Sequence, residues 1–398
     1  MTQASQTNSV CTYIFPPDKT ALKMDLPDVL KSYRDRKVMI TGHTGFKGSW
    51  FSLWLAKAEA QVYGYSLPPP GNPALFDMLQ LQDIVQHQIA DIRDFNQLSK
   101  TIFRIKPDII FHFAAQSLVG ASYASPLSTI EVNTIGTANL MEAVRHAGVP
   151  AAVVVVTSDK CYRNREWNYG YRETDELGGD DPYSASKGAA EILVHSWRKS
   201  FFDPSRLHEH GVRLASVRAG NVIGGGDYAI DRIIPDCIRY LQAAESIVVR
   251  NPAHTRPWQH VLEPLSGYLS LGARLLDIDH SEEYCSAFNF GPGVNSNRNV
   301  KELVEEVIEC WGEGAWHHFR NDRSNPETSL LHVSSDKAFH KLGWQPRWDF
   351  KETIANTVEW YKKAASMEDY RQLRDLTLEQ IQKYEDALNV PKVHNVMN

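Results

Sequence analysis

The chain has 398 residues, with 42 Lys and Arg against 48 Asp and Glu for a formal net charge of −6, and 42 % of its residues are hydrophobic and 10 % aromatic. That apolar content excludes a disordered chain, and the acidic balance excludes a general electrostatic attraction to nucleic acid or to an anionic membrane. The five cysteines (Cys11, Cys161, Cys237, Cys285, Cys310) show no CxxC or Cys/His spacing, no apolar run approaches the roughly 18–20 residues that span a bilayer, and the N-terminus lacks the pattern of a secretory signal. These features predict a soluble, cytoplasmic protein in a reducing compartment with no disulfide framework and no metal site.

Residues 1–30 read as a polar N-terminal extension broken at Pro16–Pro17, with Met24 as an alternative start. Lys37–Thr41 (KVMIT) is a short apolar strand that runs into a Gly-rich turn, and a helix follows from about Gly48 with Trp50, Phe51, Leu53, Trp54 and Leu55 inward. Strands at Gln61–Tyr65 and Gln88–Ala90 come next, then a helix near Phe95–Ile105, a buried strand at Asp108–Phe113 and a long helix near Pro126–Ala147. The continuous apolar strand Ala151–Thr157 precedes a helix at about 184–201 and a strand at Val212–Arg218. Runs such as DIIFHF and AAVVVV, apolar on both faces and alternating with helices, predict a doubly wound parallel α/β sheet.

From about residue 221 the elements become shorter and mixed, opening at Gly224-Gly225-Gly226. The span 221–365 is therefore expected to form a smaller C-terminal α/β domain that binds substrate, with some elements returning to the dinucleotide-binding domain of 31–220. Residues 366–398 carry a terminal helix, Met367–Leu388, with Leu373, Leu376, Leu378 and Ile381 on its apolar side. Docking on the body or on an oligomer partner is the expected role of that face.

Strand KVMIT leads into Gly42-His43-Thr44-Gly45-Phe46-Lys47-Gly48, a G-x-x-G-x-x-G. Glycines let the backbone turn tightly and approach a pyrophosphate, whose charge the following helix N-terminus favours. Strand, glycines and helix in that order make a Rossmann-type dinucleotide site of Gly42, Thr44, Gly45, Phe46, Lys47 and Gly48. The next strand ends Gly64-Tyr65-Ser66-Leu67, without the carboxylate that would grip a ribose hydroxyl, so NAD and NADP both stay open, and Lys47 even permits a phosphate contact. Asp91-Ile92 follows the third strand, where Asp91 is placed to accept from an adenine amino group or to cap a helix, a role for which Asp94 competes.

Ala151–Thr157 delivers Ser158, Asp159 and Lys160 to the C-terminal edge of the sheet, where ligands of open α/β sheets lie. Tyr183 and Lys187, four apart on a helix, share one face. A neighbouring ammonium is expected to lower the phenol's pKa so that Tyr183 acts as a base, with the Ser158 hydroxyl sharing the proton. Cys161 has no evident base beside it and reads as a small buried hydrophobe. Trp258 and His260 read as packing residues, and the pairs His208/His210 and His317/His318 lack a metal-binding geometry.

GHTGFKG at Gly42–Gly48, HFAAQS at His112–Ser117, VNTIGTANLMEA at Val132–Ala143, PYSASK at Pro182–Lys187 and RAGNVIGGGD at Arg218–Asp227 together resemble the extended short-chain dehydrogenase/reductases, from about Lys37 to about Lys363. Within that family GHTGFKGSW, TSDKCY at Thr157–Tyr162 and RPWQHV at Arg256–Val261 are most similar to the CDP-glucose 4,6-dehydratases. The resemblance implies a hydro-lyase of deoxysugar and O-antigen supply that removes water across C5 and C6 of a nucleotide-linked hexose. Oxidising C4 first acidifies the C5 proton, and the hydride later returns to C6, so the nicotinamide is recycled. It implies Tyr183, Lys187 and Ser158 as the set acting on the C4 hydroxyl and Asp159 as general acid on the departing C6 hydroxyl. Lys160 stands where related dTDP-linked enzymes carry a Glu base; it acts either as a neutral amine that takes the C5 proton, the reading preferred here, or as an enolate stabiliser. Ala114, Ala115 and Gln116 are implied on the cofactor side, and Ser117, Asn221, Arg232 and Arg256 on the substrate side. A homodimer or homotetramer is implied, with the helices at 126–147 and 184–201 as its face. A 4-epimerase of the same family and a non-catalytic dinucleotide sensor remain the alternatives; Asp159–Lys160 speaks against the first, and the Tyr183/Lys187 pair against the second.

Overall fold

The structure, a computed structural model, describes residues 25–319, 329–367 and 369–389. Most of the stretch read as an extension, with Cys11, lies outside the described residues. Its last part differs from the expectation: Leu26–Lys31 is helical, because a proline at the first turn and the buried Val29 give it a start and an anchor.

Seven strands form the central sheet: β1 (Lys37–Thr41), β2 (Gln61–Ser66), β3 (Gln86–Ile89), β4 (Ile109–His112), β5 (Ala151–Val156), β6 (Val212–Ala219) and β7 (Ala287–Phe290). Their order is β7-β6-β5-β4-β1-β2-β3, and every pairing is parallel. The chain winds outward from β1 through β2 to β3, then crosses to β4 on the other side of β1. That reversal leaves a crevice at the carboxyl ends of β1 and β4, where Thr41 and His112 pair in register. The third strand begins two residues earlier than its polar sequence indicated, since edge position relieves it of an apolar pattern.

β5 is buried at all six positions, as a strand covered by helices on both faces must be. The helix Phe46–Lys57 is buried from Gly48 to Leu55 because it lies between the sheet and the terminal helix Tyr370–Asn389. Trp50, Phe51 and Trp54 are wholly enclosed there, each worth roughly 3 kcal/mol or more against truncation to Ala. The Trp54 indole donates to Glu385 at 2.8 Å, and Lys57 pairs with the same carboxylate at 2.5 Å. The terminal helix thus docks on the body, with Leu373, Leu376, Ile381 and Tyr384 buried and Leu378 packed against the core.

The long helix expected over 126–147 is interrupted. Pro126–Ile130 and Gly136–Ala147 are joined by a π-helical turn, Glu131–Ile135. The turn aims Asn133 inward, where its side chain accepts from the Gln116 amide at 2.8 Å and donates to the Gln116 carbonyl and the Ser186 hydroxyl, both at 2.9 Å. The span after residue 220 supplies β7 and the helix Leu262–Leu276 to the central layers, and three two-stranded pairs elsewhere. Its Gly-Gly-Gly opening is a packing requirement: a Cβ on Gly225 would lie 2.1 Å from the Trp360 ring.

Candidate active site

The glycine loop closes over the crevice between β1 and β4. Gly42 has φ +77°, and a Cβ there would stand 2.6 Å from the Ala114 nitrogen; one on Gly48 would stand 2.2 Å from the Gly42 carbonyl oxygen. Both clashes are with backbone, so only glycine allows the turn to sit on β4 and the helix to start directly above it. Gly45 is the N-cap of Phe46–Lys57 without a side chain to cap it, so the first amides of a twelve-residue helix remain available to an anion. These features fit a dinucleotide pyrophosphate.

Thr44 ties the loop to the end of β2 through the Ser66 hydroxyl at 2.8 Å and the Leu67 carbonyl at 3.0 Å. Asp91 is engaged by Arg93, which holds its carboxyl below the usual range, while Asp94 caps the next helix by accepting from the Gln97 amide at 2.9 Å. Ile92 is buried against Gly136. The Ala114 amide lies 3.3 Å from the Thr41 hydroxyl, Ala115 lies between it and Gln116, and the Gln116 side chain is committed to Thr129. Beneath this floor His112 bridges Thr41 at 2.7 Å and Thr137 at 3.1 Å, and burial pulls its pKa down to about 3.

Beyond β5 the chain turns at once into a 3-10 turn, Asp159–Cys161, capped by Ser158, whose oxygen accepts from the Lys160 amide at 3.2 Å. Ser158 also donates to Asp159 Oδ1 at 3.0 Å and is hydrogen-bonded to Tyr183. Tyr183, Ser158 and Asp159 therefore form one continuous proton-sharing chain. Asp159 is buried, which raises its pKa, with Lys160 the largest opposing influence; its Oδ2 has no hydrogen-bond partner among the described residues. That oxygen points where a Cβ on Gly220 would lie 2.6 Å away, so glycine there keeps room for it. A buried carboxyl with a raised pKa and a free oxygen is suited to donate a proton.

Tyr183 corrects the expectation for the phenol. Burial pushes it up to about 12, against its hydrogen bond with Ser158. Lys187, which was expected to lower it, is itself drawn down to about 8 by burial, and its amine lies 3.5 Å from the Val156 carbonyl. Lys47 is likewise pulled down to about 8 by desolvation and by Arg232, and Asp159 is the largest influence opposing the shift. From the glycine loop it thus feels the charges of Asp159, Lys187, Asp227 and Arg232.

Arg232 donates to Asp227 at 2.7 Å and to the Ser117 hydroxyl at 3.0 Å. The Asn221 carbonyl accepts from the Gln259 amide, and the Arg256 guanidinium, buried, bonds the Thr255 carbonyl at 2.9 Å and the Ser329 carbonyl at 3.4 Å. Trp258 and His260 are buried in the core, His260 edge-on to Trp50 and Trp348, and Cys161 is a buried thiol pushed well above its usual pKa. Among the described residues, no group of three or more His, Cys, Asp and Glu is arranged to hold a metal, and no helix is long and apolar enough to cross a membrane.

The sequence reading passed over two residues here. Asn133 clamps the β4 loop; an asparagine inside a helix, where it is disfavoured, was the available signal. Tyr268, wholly buried and with an unpartnered hydroxyl, feels the Asp159 charge, and nothing in its helical, apolar setting marks it out.

Residues 39–357 match the family model described as GDP-mannose 4,6 dehydratase. The chain is 46 % identical over 337 residues to the CDP-glucose 4,6-dehydratase of Salmonella typhimurium, covering 85 % of this chain and 93 % of that one. The fold is shared with the dTDP-glucose 4,6-dehydratase of Streptomyces venezuelae solved with NAD bound (TM-score 0.71, 22 % identity, 83 % and 98 % of the two chains). It is also shared with the UDP-glucose 4-epimerase of Thermotoga maritima (TM-score 0.68, 20 % identity, 83 % and 99 %). With a glycine cradle at the switch point of the sheet and a Ser-Asp-Lys turn facing a Tyr/Lys helix, the chain belongs to the GDP-mannose 4,6 dehydratase family, among the extended short-chain dehydrogenase/reductases.

Proposed function

We propose that the protein is a CDP-glucose 4,6-dehydratase, a hydro-lyase that converts CDP-glucose to CDP-4-dehydro-6-deoxyglucose and water. The observation that carries this reading is Asp159, a buried carboxyl with one unpartnered oxygen on the same hydrogen-bonded chain as Tyr183. A 4-epimerase needs no acid for a departing C6 hydroxyl. The nucleotide is taken from the 46 % identical relative.

NAD is held by the backbone of Gly42–Gly48, with Asp91 and Ile92 toward the adenine and Ala114–Gln116 lining the β4 side. When bound, it supplies the acceptor and donor of the C4 and C6 hydride and a positive ring that favours the Tyr183 phenolate. Tyr183 then takes the C4 hydroxyl proton, relayed through Ser158, while Lys187 holds positive charge beside it. Asp159 protonates the leaving C6 hydroxyl. Lys160 is only half-buried and lies next to the Asp159 carboxyl, on which its charge acts. We assign Lys160 to electrostatic stabilisation of the enolate, with water accepting the C5 proton. Ser117, Asn221, Arg232 and Arg256 bind the sugar diphosphate, for which a guanidinium fork is suited.

The cytoplasm is the proposed location, in keeping with four free cysteines among the described residues. A homodimer is proposed through the helices at 126–147 and 182–200, which expose Leu127, Ile130 and Ile192; sedimentation velocity tests it, and a monomer at micromolar concentration refutes it. Incubating the protein with CDP-glucose and NAD should yield the alkali-developed chromophore of a 4-keto sugar. A galactose-type product without that chromophore would overturn the assignment.

A further inference from the structure

The helix Pro182–Ser200 carries a third ionisable residue on the face of Tyr183 and Lys187. Glu191 lies one turn beyond Lys187 and two beyond Tyr183 in a single buried row. It is 3 % exposed, and its two oxygens accept three bonds from the sheet: Thr157 Oγ1, Ser216 Oγ at 2.8 Å and Arg218 Nη2 at 2.8 Å. Thr157 is the residue immediately before Ser158, so the same carboxylate that anchors the helix also anchors the start of the catalytic turn. Arg218 is fixed in turn by the Tyr162 hydroxyl at 2.7 Å and lies over the Tyr162 ring.

We propose that Glu191 is a positioning residue for the dehydration, the buried anion that keeps Lys187 protonated and locks its helix to the Thr157–Asp159 turn. The groups acting on Lys187 narrow the choice. Besides burial, Glu191 of its own helix and Cys161 of the 3-10 turn act on Lys187, and His112 of β4 and Lys47 of the glycine loop feel its charge. His112 is neutral at working pH because burial draws it down to about 3, and the Cys161 thiol and Tyr183 phenol are pushed up and neutral too. Lys47 and Arg218 are cations. Burial draws Lys187 down, and the largest influence opposing that shift is Glu191, whose own pKa is held below the usual range by Arg218 and its hydrogen bonds. Without it, Lys187 would lose its proton nearer neutral pH and the positive charge beside Tyr183 would go.

The inference rests on the Tyr183/Lys187 reading above, and the test separates the two. In the NAD-loaded enzyme, Glu191→Gln should move the alkaline limb of the kcat profile to lower pH by roughly one unit or more, whereas Glu191→Asp, which keeps the charge, should leave the limb in place even with a lower kcat. Glu191→Gln strands Arg218 in the interior, so Glu191→Gln/Arg218→Gln, with both charges removed, should move the limb in the same direction by a smaller amount. A limb that stays put in the Gln variants, or a loss of rate equal in Gln and Asp with unchanged pH dependence, overturns the positioning role. Lys187→Met is the control for the underlying reading: if the alkaline limb survives it, Lys187 was never the titrating group and it is that reading which fails.

Discussion

Asp159→Asn removes one proton from the site and almost nothing else. Asparagine keeps the shape and still accepts from Ser158, while the altered atom is the oxygen that has no partner among the described residues. Loss of a general acid costs roughly 10²–10⁴ in rate, or about 3–5 kcal/mol of barrier, and it should fall on elimination alone. Rapid mixing of the variant with CDP-glucose and NAD should therefore show reduced nicotinamide forming and persisting, with the 4-keto-6-deoxy product delayed. The same substitution should stabilise the fold at neutral pH. The carboxyl's pKa is raised in the native state by burial, so the native protein binds more protons than the unfolded chain between the unfolded value, about 3.9, and the raised one. Its stabilising contribution is thus complete below that window and turns to a cost as pH rises through it, about 1.4 kcal/mol for each unit of the shift. The thermal midpoint of the variant should exceed that of the wild type at pH 7, and the gap should close toward pH 4. If hydride transfer and dehydration are lost together, or the midpoints run parallel across pH, Asp159 is neither a buried acid nor the proton donor.

Gly48→Ala would place a methyl carbon 2.2 Å from the Gly42 carbonyl oxygen, so the loop must move by more than an ångström; calorimetric titration with NAD should show affinity lower by about 100-fold, and unchanged affinity would refute the cradle. Lys160→Ala should slow C5 deuterium exchange by roughly 10²–10³ with initial hydride transfer intact, which partitioning of label in the product would reveal; equal loss of both steps contradicts the enolate role. Arg232→Met removes the fork that joins Asp227 to Ser117 and should raise KM for CDP-glucose by roughly 10- to 100-fold, the worth of one or two charge-assisted bonds, with a smaller change in kcat.

What the sequence disclosed was whatever short-range physics controls. Strands apolar on both faces, such as Ala151–Val156, can only be interior to a parallel sheet, and a strand running into Gly42–Gly48 can only be a turn onto a helix. Spacing alone put Tyr183 over Lys187. The proton affinities were not legible, because they follow from burial: the same four-residue spacing that predicted a lowered phenol is overruled by the burial of Tyr183, which rises instead. Asn133 and Tyr268 stayed hidden for a related reason, since each matters through a partner far away in the chain. The π-helical turn that aims Asn133 is a local rearrangement that hydrophobic periodicity does not record.

The distribution of charge through the site explains why it tolerates so much buried ionisable chemistry. Asp159, Lys187, Lys47 and Glu191 sit in one low-dielectric volume, and unpaired each would be costly. Asp159 is eased toward neutrality by its raised pKa, burial draws Lys187 and Lys47 down, and the anion held below its usual pKa, Glu191, is the one with an arginine and two hydroxyls around it. The group that must give up a proton, Asp159, is thus left near the point of exchange, and the anion that must not change, Glu191, is locked by three donors. Dehydration requires that separation, because its acid and its base have to be recharged within a single visit of the sugar, from neighbours whose own charge does not change.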